Sequence, residues 1–142
     1  MKVANNMGEL EQLIMADIEK AMKEVRSKSE QDTKDEVQSF YSQGSPTIYK
    51  RTGKLGKSVR SYGTNKYGTT VEFYIWLDRT YNYTVPNPDF INKGFASYFT
   101  TPMVFEAAEN GIANIKGRSG FWARSEQKIK SDLDSTFATY FN

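Results

Sequence analysis

The first 43 residues constrain this chain most. No proline or glycine falls between Glu9 and Gln43, and Val3, Met7, Leu10, Ile14, Ile18, Ala21 and Val25 recur at spacings of three and four. That periodicity is one apolar stripe on an α-helix. The stripe lapses over Arg26–Glu36, which is almost wholly polar, and resumes at Val37, Phe40 and Tyr41. Either the helix runs through with a solvated middle, or it breaks near Ser27–Ser29. The absence of any breaker favours the continuous helix. Gly44-Ser45-Pro46 supplies the stop, since glycine suits the position past a helix end and proline cannot extend it.

The pattern then changes period. Val71, Phe73, Ile75 and Leu77 alternate with Glu72, Tyr74, Trp76 and Asp78, which predicts a strand. Ser58–Tyr62 is its expected partner, with Gly63–Thr70 as the connecting loop. Tyr81, Tyr83 and Val85 form a shorter third alternation, ended by Pro86-Asn87-Pro88. Pro102 opens a helix over Met103–Ile115, weakened at Gly111. After a loop at 116–120, a last helix spans Phe121–Phe141, with Trp122, Ser125, Ile129, Leu133, Phe137 and Tyr140 as its buried stripe. The expectation is a single α+β domain over 1–142. It has a long N-terminal helix (1–43), a small antiparallel sheet of about three strands (50–86) and C-terminal helices (101–142) packed on the sheet.

Hydrophobic residues make up 38% of the chain, so its core is thin, and the 14% aromatic share partly compensates. Such a chain completes its burial well against neighbouring subunits. There is no cysteine, which excludes disulfides and thiolate metal sites, and no histidine, the commonest general base. No cofactor or metal site is expected, and the reading is non-enzymatic. No secretory signal and no membrane-length apolar run is visible, so a cytoplasmic site of synthesis is expected. Asn82-Tyr83-Thr84 reads as a chance match to a glycosylation acceptor.

Charge is uneven. Residues 44–70 carry Lys50, Arg51, Lys54, Lys57, Arg60 and Lys66 and no acid. Gly53-Lys54 superficially resembles a phosphate loop, but Ile48 stands where the first glycine is needed and Leu55 where Ser or Thr is needed. Thr52-Gly53 reads better as a turn that sends Leu55 into the core. Lys50, Arg51, Lys54, Lys57 and Arg60 then form either an ordinary solvated surface or a patch facing DNA or a partner. Glu106 and Glu109 share a helix face without an evident cleft and read as solvated. Tyr74 and Trp76 lie on the strand face opposite Phe73, which makes them candidate interface anchors.

A long helix followed by Tyr49-x-Arg51-Thr52-Gly53-x-Leu55-x-x-Ser58 and a hairpin resembles the tailed-bacteriophage head–tail joining and tail-completion family. Glu109-Asn110-Gly111 and Phe121-Trp122 stand where that family has a Glu-Gly-like element and an aromatic helix opening; residues 78–105 depart from its short, Pro-rich approach to the last helix. The resemblance implies a non-enzymatic virion subunit, assembled in the host cytoplasm. It would form a six-fold ring, or a twelve-fold one, in the neck or tail top through which DNA passes. It would contact other neck, connector or tail proteins, with Phe121 and Trp122 joining Tyr74 and Trp76 as candidate interface residues. The rival expectation is a small monomeric nucleic-acid-binding module built on the basic turn and the aromatics.

Overall fold

The computed structural model describes residues 2–45, 51–81, 100–112 and 115–142. Helix α1 spans Met7–Ser39 without a break. The Asn6 side chain accepts the Glu9 N–H at 2.9 Å, and the Glu9 carboxylate accepts the Asn5 N–H at 2.7 Å, a reciprocal cap for orphan donors. A 3-10 turn at Phe40–Ser42 tightens the far end, and the chain leaves through Gly44 at φ 74°.

A second 3-10 turn, Leu55–Lys57, leads into strand β1, Val59–Tyr67, which pairs antiparallel with β2, Thr70–Leu77. Strand β1 is longer than the expected Ser58–Tyr62, and β2 keeps the expected length but starts one residue earlier. Tyr67 pairs with Thr70, so the connection is the two-residue turn Gly68-Thr69 rather than the whole of Gly63–Thr70. Gly68 sits at φ 60°, which matches a mirror-type hairpin turn. A bulge between Tyr62 and Asn65 absorbs one extra residue, hiding the true register from a simple period-2 count. The sheet has two strands among the described residues, not three. Tyr81 lies outside any strand, and Tyr83 and Val85 fall outside the described residues.

Helix α2 covers Thr101–Asn110, with Pro102 in its first turn, and stops at Gly111 in the left-handed region, short of the expected Ile115. Helix α3 covers Phe121–Phe141. Its main partner is α1, not the sheet. Contacts run Glu36–Arg124, Ser29–Asp132 and Glu24–Tyr140, so the two helices are antiparallel.

That pairing overturns the solvated middle of α1. Ser29, Thr33 and Glu36 are buried, as are Ser125 and Thr136 on α3. The stripe therefore continues through the polar stretch in small hydroxyl residues: Thr33 Oγ1 donates to Ser29 O at 2.7 Å and Ser125 Oγ to Phe121 O at 2.7 Å within their own helices, and Ser29 Oγ donates across to Asp132 at 3.2 Å. On α3 the buried residues are Phe121, Ser125 and Thr136, while Leu133 and Tyr140 of the expected stripe are exposed. The apolar core gathers where all elements meet: Val37, Phe40, Leu55, Val59, Ala108 and Phe121, with Ile75 and Leu77 from the sheet packed against it. Phe40 and Phe121 meet edge to face, centroids 6.2 Å apart.

Candidate interaction surface

The basic segment resolves into separate roles. Arg51 donates to three backbone carbonyls, Tyr41 O at 3.1 Å, Gln43 O at 2.6 Å and Lys116 O at 2.9 Å. Its guanidinium also lies 5.6 Å from the Tyr41 ring centroid and 5.9 Å from that of Phe40. Arg51 is thus a clamp between the end of α1 and the loop before α3, with little left to offer a phosphate. The same junction is drawn tight by Arg118 N–H donating to Phe40 O at 2.9 Å and by Gly117, where any Cβ would strike the Phe40 ring at 2.3 Å. Leu55 is buried in the core, and buried Ser58 caps the 3-10 turn by donating from Oγ to Leu55 O at 2.6 Å. Arg51, Leu55 and Ser58 therefore build a structural knot, and Gly53 turns the chain between them at φ 73°. Thr52 is exposed, and Tyr49 and Lys50 fall outside the described residues.

Arg60 is also held locally. It donates to Lys57 O at 2.9 Å and Val59 O at 3.0 Å, pairs with Asp78 at 3.3 Å, and reaches the Tyr81 hydroxyl at 3.3 Å. The Tyr81 contact, followed by Asp78, holds its pKa above the ordinary guanidinium value. Lys66 pairs with Glu19 of α1 at 3.1 Å. Lys57 is exposed.

The expected anchors part company. Phe121 is fully buried in the core and so is no interface residue, and Trp122 is half-buried against that core. Glu109 is not merely solvated either. Gly120, at the helix N-cap, has no side chain to offer, and the Glu109 carboxylate caps α3 instead, accepting the N–H groups of Trp122 at 2.7 Å and Ala123 at 3.1 Å. Nothing local in the sequence signals this borrowed cap, because the residues stand 13 and 14 apart.

Tyr74 and Trp76 are exposed, and the strand register adds neighbours that alternation alone could not assign. Tyr62 pairs with Tyr74, Arg60 with Trp76 and Tyr67 with Thr70, so all these side chains share the outer face of the sheet. Tyr62, Tyr67, Tyr74 and Trp76 keep between 42% and 63% of their surface exposed. The inner face meets α1 through Lys66–Glu19, Ser61–Glu30 and the core residues Val59, Ile75 and Leu77. An exposed patch of four large aromatic side chains is the compositional mark of an interface.

A second apolar surface lies at the start of α1. Met15 is the first buried residue of the helix, and Met7, Leu10 and Ile14 before it are 78%, 41% and 43% exposed. With exposed Val3 they form one stripe at spacings of four, three and four. Among the described residues no His, Cys, Asp and Glu cluster could hold a metal, and no helix is long and apolar enough to cross a membrane.

A family model described as YomN matches residues 6–139, nearly the whole chain. No curated protein and no solved structure matches.

Proposed function

The chain belongs to the YomN family, which is phage-associated, and on that premise we propose that it is a structural subunit of a tailed-phage virion. In this reading copies form a ring in the neck or at the top of the tail, join head to tail and let DNA pass, without catalysis. The observation that carries the proposal is the exposed aromatic face of the hairpin, where Tyr62, Tyr67, Tyr74 and Trp76 are not covered by the described helices. Surface of that kind is costly to leave in water and is put to use by assembly. The knot at Arg51–Ser58 fits the same reading, since it fixes the hairpin rigidly on α1 and so gives the face a defined direction.

Mass spectrometry of purified virions, followed by cryo-EM of the neck, tests the proposal. The chain is expected at a fixed copy number in a closed ring. Its absence from purified virions, together with a strictly monomeric state, would refute the reading.

Nucleic-acid binding by a monomer is the second reading. It is favoured by one observation: Arg60 stands on the same face as Tyr62, Tyr74 and Trp76, an arrangement that suits base stacking. It predicts DNA binding at low salt that falls steeply as salt rises. Replacing Lys54, Lys57 and Arg60 together should abolish that binding, and no binding by the intact chain at low salt rejects this alternative.

A further inference from the structure

The opening turns of α1 differ from the rest of the helix. Every residue from Asn5 to Gln12 is exposed, and burial begins only at half-buried Leu13 and buried Met15. Met7–Gln12 covers more than one full turn at 3.6 residues per turn, so no side of the helix is closed off there. Among the described residues, the first polar contact from α1 to another element is Glu19–Lys66, followed by Glu24–Tyr140 and Glu30–Ser61. The helix therefore starts well before the packing that secures it.

What holds these turns is local. Asn6 Oδ1 accepts the Glu9 N–H at 2.9 Å, and the Glu9 carboxylate accepts the Asn5 N–H at 2.7 Å and its side-chain amide at 3.0 Å. The first backbone bond runs from the Leu10 N–H to Asn6 O at 3.1 Å. Glu9 also suits the positive end of the helix dipole. Against these stands Gly8 in the first turn, because glycine loses most backbone freedom on becoming helical. Space does not demand a glycine there: a Cβ would meet nothing nearer than Asn6 Oδ1 at 3.4 Å, an ordinary van der Waals contact.

A helical end without a packed face is marginal, and its fraying is governed by its cap. We infer that Met7–Ile14 is an order–disorder element, separate in stability from the body of α1 and held helical by the Asn6–Glu9 cap. Met7, Leu10 and Ile14 form one stripe only while these turns are helical, so the cap sets whether those side chains are displayed together. The inference stands apart from the virion reading and concerns the chain on its own.

Native-state hydrogen exchange on the full chain, resolved by residue with NMR, tests it. The amides of Leu10–Ile14 should be about a hundredfold or more less protected than those of Val25–Val37. Asn6→Ala should speed exchange at Leu10–Ile14 about fivefold and leave Val25–Val37 unchanged. Gly8→Ala should slow it about two- to fivefold. Glu36→Gln, which loosens α1 from α3, should do the opposite of Asn6→Ala, speeding the body amides and leaving Leu10–Ile14 as they are. Equal protection along the helix overturns the inference. So does an arm rate indifferent to Asn6→Ala or Gly8→Ala, or an arm that follows the body in Glu36→Gln.

Discussion

Glu36→Gln should destabilise the protein by about 2 kcal/mol at neutral pH. Glu36 comes from the polar stretch of α1, yet its side chain keeps only 9% of its surface exposed. It accepts Arg124 Nε at 2.6 Å and Lys128 Nζ at 2.9 Å, and so ties α1 to α3 at two points. Removing one partner of a fully buried pair costs roughly 3–5 kcal/mol. Here Arg124 and Lys128 are 27% and 44% exposed, so both orphaned cations can rehydrate, and the lower figure of about 2 kcal/mol follows. For a chain of this size that is a fall in Tm of roughly 6–8 °C. Burial pushes the Glu36 carboxyl up, but hydrogen bonds from Arg124 and Lys128 outweigh it and hold its pKa below the ordinary value. A depressed folded pKa contributes stability that is complete above the ordinary carboxylate pKa of about 4.3 and is lost as pH falls through the folded value. Urea melts of wild type and variant, from neutral pH down to the acid limit, should therefore converge at low pH. Equal stability at neutral pH, or a gap that does not close on acidification, would refute the reasoning.

Phe121→Ala removes a fully buried ring from the contact with Phe40 and should cost about 3–5 kcal/mol, read as a large drop in Tm. Arg51→Lys keeps the charge but cannot span three carbonyls and two rings, so a loss of about 1–3 kcal/mol is expected in urea melts, and a wild-type midpoint would deny the clamp. Asp132→Asn should stabilise by up to about 1 kcal/mol at pH 7. Burial, then the nearby Asp32 charge, raises the Asp132 pKa, so its penalty is full above that raised value and vanishes below the unfolded one. The gain should disappear in acid, and a variant less stable than wild type at pH 7 would contradict it.

Much of the fold is legible in residue order because local rules produce it. An unbroken run from Glu9 to Gln43 makes one helix, and Asn6 with Glu9 caps it through contacts within one turn. Alternation at Val71–Leu77 makes β2 and separates Tyr74 and Trp76 from the core face. Pro102 and Gly111 bracket α2 by their own backbone preferences. The candidate surface was half legible for the same reason: Tyr74 and Trp76 were visible, whereas Tyr62 and Tyr67 joined them only through a register that a bulge displaces by one residue.

What tertiary structure alone decided concerns groups brought together from far apart in the chain. Ser29 and Glu36 read as solvent-facing until α3 lies along them, because a polar side chain is buried only when a partner satisfies it, and their partners, Asp132 and Arg124, stand 103 and 88 residues away. Arg51 looks like a free cation until three carbonyls from two separate segments converge on it. The order of residues determined which elements form. Packing determined which polar groups are spent inside, and therefore which apolar side chains of α1 and the hairpin stay exposed.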